Sequence, residues 1–176
     1  MANIFQIIHH IYLYIKIHIK NTLNKLKLIA LNNVVLGLNN VIDIEKFDKV
    51  KIGKNLIVGN SSVIILRNEN AMMDNSRLII GDNCYIGDHN NIRACGGIIE
   101  IGSKVLISQH VTIVAANHNY KLKTPIMEQG WSEVNNKITI EDDVWIGANV
   151  TIIPGAILSK GSIIAAGSVV NSYIAP

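Results

Sequence analysis

Histidine is the side chain best suited to move a proton near neutral pH, and of the six in this chain one stands apart. His118 ends the hexad Ile113-Val114-Ala115-Ala116-Asn117-His118. Up to that point the sequence keeps a six-residue beat; over residues 119–137 the beat is lost. A residue at the mouth of an irregular segment projecting from a regular frame sits where function concentrates, and an imidazole there can act as a general base. His89 and His110 fall inside regular hexads at positions off the core, and read as exposed or interface residues. His9, His10 and His18 lie near the N-terminus with no carboxylate or cysteine at ligand spacing. Only two cysteines occur, Cys84 and Cys95. They match no metal spacing and are too few for a disulfide framework. Cys84 takes an inward position of the repeat and reads as a small buried hydrophobe.

The frame that positions His118 is the repeat itself. Ile52, Val58 and Ile64 are six apart, as are Ile80, Ile86 and Ile92, then Ile101, Ile107 and Ile113. After the irregular segment, Ile140, Ile146, Ile152, Leu158, Ile164 and Val170 keep the same step. Four residues after these aliphatics stand small or β-branched residues such as Ser62, Cys84, Val105, Val144, Ala156 and Ser168. A period of six is neither helical nor simply alternating. It describes a short strand, a corner and another short strand wrapped around a narrow core, with Gly and Asn tolerating the turns. Coils of this kind satisfy one another's backbone groups and are stable only when stacked. The polar stretch 67–77 breaks the register and reads as a loop or bulged corner. The extra residues Ile98-Ile99-Glu100 shift its phase.

Composition agrees. Hydrophobic residues are 49%, aromatics 5% and charged residues 16%, an aliphatic, β-branched chain suited to strands. The net charge is +3, and no basic stripe with interleaved aromatics points to nucleic acid. Residues 1–42 contain Lys16, Lys20, Lys25 and Lys27 and no acid. Within 4–31, Ile4, Ile8, Ile11, Ile15 and Ile19 form a helical stripe, while 15–20 alternate as a strand would. Length favours one or two helices. Such a segment packs on the body or on a neighbouring subunit, or lies as a basic amphipathic stretch (residues 1–31) on an anionic membrane surface. No secretory signal and no spanning segment is read, so a cytoplasmic protein is expected, peripheral to the membrane at most. The division is 1–33, helical, and 34–176, repeat, with 119–137 extruded.

From about Leu36 onward the chain resembles the hexapeptide-repeat acyltransferases. The stretch Val144–Val170, reading VWIGANVTIIPGAILSKGSIIAAGSVV, carries the resemblance, and with Ile140-Glu141-Asp142-Asp143 and the loop start Asn117-His118-Asn119-Tyr120 it resembles the maltose, galactoside and polysaccharide O-acetyltransferase branch. The resemblance implies an all-β fold: a left-handed parallel β-helix with a short N-terminal helical segment and one extended loop. It also implies a homotrimer with sites between subunits, acetyl-CoA as donor, and a sugar or polysaccharide acceptor in surface-polysaccharide biosynthesis.

By that resemblance His118 is the general base. Ala148 and Ala166, three hexads apart, stack on one corner and offer their backbone to the pantetheine arm of acetyl-CoA. Asp88 takes the place of an acceptor-binding asparagine, with Asn90 and Arg93 as polar neighbours; the family's acceptor-binding aspartate falls on Gly96. Trp145 contacts the pantetheine arm or the adjacent subunit, or packs laterally under the extended loop. The family's Thr-Lys-Asp-like turn is represented by Asn171-Ser172, which makes Asn171 the residue at that end of the coenzyme. A zinc site among His89, His110 and His118 would resemble the γ-class carbonic anhydrases, but the place after Ile146-Gly147 holds Ala148, Asn149 and Val150, and no metal is expected. Alternatives are an N-acetyltransferase of an amino sugar or antibiotic, and a non-catalytic β-helix scaffold.

Overall fold

Residues 4–30, 33–68, 75–132 and 134–176 are described by the structure, a computed structural model. Among these residues one α-helix, α1 (Ile4–Ala30), precedes eighteen short strands. The strands fall into six turns of three. The first turns hold β1 (Val35–Leu36), β2 (Val41–Ile44) and β3 (Val50–Ile52), then β4 (Ile57–Val58), β5 (Val63–Leu66) and β6 (Arg77–Ile80), then β7 (Tyr85–Ile86), β8 (Asn91–Arg93) and β9 (Ile98–Ile101). The later turns hold β10 (Leu106–Ile107), β11 (Thr112–Val114) and β12 (Lys137–Ile140), then β13 (Trp145–Ile146), β14 (Thr151–Ile152) and β15 (Ile157–Leu158), and β16 (Ile163–Ile164), β17 (Val169–Val170) and β18 (Tyr173–Ile174). Every third strand joins one six-stranded parallel sheet, so three sheets form the sides of a left-handed β-helix. The first face starts with β1, the second with β2 and the third with β3.

The hexad beat is the inward set of this prism. Val58, Ile86, Ile107 and Ile146 point in from the first face, Ile64, Ile92, Ile113 and Ile152 from the second, and Ile80, Ile101, Ile140 and Leu158 from the third; all are buried. Burial of each such side chain is worth about 1.5–3 kcal/mol. The small residues fit the corners: Ser62, Cys84, Val111, Val144, Val150 and Ala156 are buried too. Burial raises the Cys84 thiol's pKa above its ordinary value.

Corners need backbone that ordinary residues avoid. Between the first and second faces the left-handed position is taken in turn by Asn39, Ser61, His89, His110, Asn149 and Gly167, and before the first face by Asn55, Asn83, Lys104, Asp143 and Gly161. Asn, Asp and Gly enter this region at least cost. Side chains then tie corner to corner: Asp142 Oδ1 accepts from Ser103 N at 2.7 Å, and Asn60 Oδ1 from Leu38 N at 2.8 Å.

The open edge of the first turn is closed by α1. Asn24 Nδ2 donates to Ile42 O and Ile44 O at 3.1 and 3.3 Å, and Asn21 Oδ1 accepts from Ile42 N at 2.8 Å. Leu28 enters the core at 2% exposure. Residues 15–20, whose alternation fits a strand equally well, lie inside this helix because its seam and its outer face are both apolar.

Asp43 clamps the junction between Lys20 (2.6 Å) and Arg67. Burial pushes its carboxyl pKa up, but the hydrogen bonds and charges of Lys20 and Arg67 outweigh that and hold it below 3.8. A depressed carboxylate contributes stability above its unfolded value, and that contribution is lost as pH falls through the folded value. Hydrogen exchange should therefore show α1 loosening from β2 as pH drops below about 4, and Asp43→Asn should loosen it already at neutral pH.

Candidate active site

The strand pairing that carries the repeat stops at Val114, beside Arg93 of the turn before, and resumes at Lys137, beside Ile98. The excursion is thus 115–136, not 119–137. Ala115 and Ala116 remain buried and Lys137 opens a strand. The two limbs run antiparallel. Ser132 N donates to Asn117 O at 2.7 Å and Asn119 N to Gly130 O at 2.9 Å, with an isolated bridge between His118 and Trp131. Asn119 Nδ2 adds a bond to Trp131 O at 3.1 Å. Gln129 closes the tip: its Oε1 accepts from Lys121 N at 2.6 Å, and its Nε2 donates to Lys121 O and Thr124 O at 3.1 and 2.8 Å.

His118 is exposed and lies against the Trp131 ring, centroids 4.1 Å apart and planes 26° apart. The stacked indole restricts the imidazole while leaving it open to solvent. Trp131 and Gln129 escape sequence reading because their partners are set by the hairpin; the signal present was a tryptophan, one of two in the chain, inside a polar segment.

Gly96 and Gly97 form the corner one turn below. A Cβ on Gly96 would lie 3.5 Å from Ala116 Cβ and 3.9 Å from Trp131 Cδ2. At the place where the resemblance puts an acceptor-binding aspartate, Gly96 thus stands at ordinary contact distance from Ala116 and Trp131, in the left-handed region at φ +71°. Arg93 lies on the outer side of β8, its Nε donating to Asn91 Oδ1 at 3.2 Å, and the register sets it beside the root of the hairpin.

Asn90 requires a correction as an acceptor ligand. It is 1% exposed, its Nδ2 donates to Gly87 O at 2.8 Å and its Oδ1 accepts from Val111 N at 2.6 Å. Both polar groups hold the corner, as those of Asn40 do two turns earlier. Asp88 sits on the same corner with Oδ1 accepting from Asn60 N. His89 and His110 stack on each other there, centroids 5.0 Å apart. Among the described residues no three His, Cys, Asp or Glu side chains come together as a metal-holding group.

Ala148 and Ala166 meet on that corner too: Gly167 N donates to Ala148 O at 2.8 Å, and a Cβ on Gly147 would come within 2.7 Å of Ala166 N. His118, by contrast, leaves from the corner between the second and third faces. Within one chain these two groups are a face apart. Asn171 lies exposed just beyond β17, on the His118 side. Trp145 stands on the outer side of the first face, Nε1 3.4 Å from Ser108 Oγ, opposite the corner that extrudes the hairpin; it does not pack under that loop of its own chain.

Residues 137–172 match the family described as bacterial transferase hexapeptide (six repeats). The galactoside O-acetyltransferase of Lactococcus lactis is 37% identical over 76 residues, which are 43% of this chain and 35% of that one. Its Escherichia coli namesake is 33% identical over 101 residues, 57% and 48% of the two chains. This chain therefore spans about half the length, or less, of these curated relatives. An N-acyltransferase from Bacillus cereus, AntD, crystallised with dTDP and coenzyme A, shares the fold: TM-score 0.59, 18% identity, 80% of this chain and 75% of that one.

The hairpin's roots give a structural test. A Cβ on Gly97 would come within 2.3 Å of Ala115 O and 2.5 Å of Asn136 O, so Gly97→Ala should cost about 1–3 kcal/mol and unprotect the amides of 117–132 in hydrogen exchange. Gly130→Ala, where a Cβ meets nothing within 4 Å, should change stability by less than about 0.5 kcal/mol.

Proposed function

We propose that this chain, a member of the hexapeptide-repeat transferase family, transfers the acetyl group of acetyl-CoA to a sugar hydroxyl, in the assembly of a surface polysaccharide. The observation that carries this reading is His118, solvent-open on a braced hairpin and stacked on Trp131. The galactoside O-acetyltransferases it resembles support a sugar acceptor.

His118 accepts the acceptor's hydroxyl proton as its oxygen attacks the thioester carbonyl. The tetrahedral adduct collapses with loss of the coenzyme thiolate, which takes the proton back from His118, leaving an acetyl ester and free CoA. No acyl-enzyme is needed. The backbone at Ala148 and Ala166 flanks the pantetheine arm, and small side chains there leave it room. Arg93, beside the hairpin root, is positioned for the acceptor; Asp88, with one oxygen on Asn60, stands on the donor corner. Asn171, on the His118 side and a face away from Ala148 and Ala166 in its own chain, would meet the nucleotide end of a coenzyme only where that coenzyme is bound between chains.

A base acts within hydrogen-bond reach of the proton it takes, so a face-wide gap between His118 and Ala148 has to be closed by another copy. The working unit is a homotrimer in which one chain's hairpin meets the next chain's donor corner. Two surfaces suit that arrangement. Tyr120, Leu122 and Met127 project from the hairpin at 81, 92 and 99% exposure. Val35, Ile57, Tyr85, Leu106, Trp145 and Ile163 pair in register to form an apolar ladder up the first face.

Calorimetry with acetyl-CoA and an acetyl-release assay over sugar acceptors test the reading. His118→Ala should bind the coenzyme as before and lose about 10²–10⁴ in kcat; near-full turnover would remove the base assignment, and no coenzyme binding by the parent chain would remove the reaction. Ala166→Trp should abolish coenzyme binding. Mixing the two inactive chains should restore about a quarter of the sites, since some interfaces then combine an intact hairpin with an intact corner. No recovery would place the whole site within one chain.

A further inference from the structure

The body uses only part of α1. Its seam runs through Leu13, Ile17, Asn21, Asn24 and Leu28: the asparagines bond β2, Leu28 is buried, and Leu13 and Ile17 line a cavity of about 390 Å³ with Val41 and Ile42. At about 100° per residue, the opposite side carries Ile4, Ile8, Ile11, Ile15, Ile19 and Leu26. Each is between 49 and 66% exposed. A helix of 27 residues is about 40 Å long, and this stripe occupies nearly all of it. An apolar strip of that length on a surface marks a binding face.

Charge decides between occupants. Lys16 and Lys27 fall on one flank of the stripe, Lys27 with its ammonium 4.9 Å from the Phe47 ring centroid, and Lys25 with His18 on the other, while the fourth lysine, Lys20, is paired with Asp43. The helix contains no acid. Two such helices laid stripe to stripe would set lysines beside lysines with nothing to neutralise them. An anionic surface meets both flanks with opposite charge. Among the described residues no helix is long and apolar enough to cross a membrane, so the geometry is that of a helix lying in the interface plane.

We propose that α1 docks the protein on an anionic lipid bilayer, with the Ile4–Leu26 stripe buried among the acyl chains and the flanking lysines among the headgroups. Ile and Leu side chains drive insertion through burial, and each lysine near an anionic leaflet adds a favourable contact. The inference is independent of the chemistry at His118.

Flotation of the full chain with vesicles of phosphatidylcholine alone, or mixed with phosphatidylglycerol, tests it, alongside the mass of the lipid-free protein in solution. The parent chain should float with the anionic vesicles, and high salt should weaken that binding. The triple variant Ile8→Ser, Ile15→Ser, Leu26→Ser, whose side chains all face away from the body, should bind at least ~10-fold less with unchanged circular dichroism and mass. Lys16→Glu, Lys25→Glu should bind less by a similar factor, and this second variant keeps the stripe and the Lys27–Phe47 contact intact. Failure of the parent chain to float, or undiminished flotation of both variants, would overturn the proposal. So would a drop in the triple variant's lipid-free mass, which would make the stripe a seam between copies.

Discussion

No turn of this molecule can bond itself. Its strands are two to four residues long and each pairs only with the strand one turn above and one turn below. Backbone groups left without partners away from water are costly, so every turn depends on its neighbours and the repeat must hold its phase. This explains why the inward aliphatics are so uniform. It also explains the corner ladders, in which Asn40, Asn60, Asp88 and Asp142 spend side-chain oxygens on the backbone of an adjacent turn. The same dependence makes the first turn a liability, since an exposed edge is a template for pairing. Asn21 and Asn24, three apart on one helix face, convert that edge into a closed surface.

The constraint also fixes where irregularity is allowed. Insertions between the second and third faces leave the ladders of all three sides intact. The Phe47–Lys49 turn and the 115–136 hairpin depart there; of the stretch 67–77 read as a loop or bulged corner, residues 69–74 lie outside the described residues. The corner between the first and second faces carries no insertion and repeats one left-handed residue per turn, from Asn39 to Gly167. A straight, unbroken corner suits a long ligand laid along it. A corner that tolerates insertion suits a side chain that must project.

The residues that obey the beat were the ones legible without coordinates. From Ile52 to Val170 the aliphatics read as inward are inward, because a period of six leaves one packing solution. The fold class followed from the same pattern. Corner polarity was harder to read. Asn90 has the chemistry of a sugar ligand, and only its bonds to Gly87 and Val111 show that both groups are spent. The hairpin boundary slipped because Ala115 and Ala116 keep the core's small-residue character after strand pairing has ended. Trp131 could not be found from spacing at all, since an antiparallel bridge within an insertion follows no repeat. His118 was legible for the opposite reason: it marks where the repeat stops.

The three outer faces are not alike, and this bears on how copies would meet. Up the third face the paired outward residues run Lys51, Ile79, Glu100, Thr139, Ile157 and Tyr173, and up the second Val41, Val63, Asn91, Thr112, Thr151 and Val169. Both mix charged or polar residues with apolar ones, as solvent-facing β-surfaces do. The first face is apolar at all six turns. A neighbour seated against it would bury Trp145, and it would adjoin the corner that bears Ala148 and Ala166, since that corner is the first face's own boundary. One side of that corner would thus be walled by another chain, and under the proposed reading the hairpin would reach over it. A face roughly 15 Å wide separates the corner that extrudes the His118 hairpin from the corner of Ala148 and Ala166 in the same chain. Under the proposed reading, threefold packing would exchange that span for a contact between chains, with the apolar ladder as its surface.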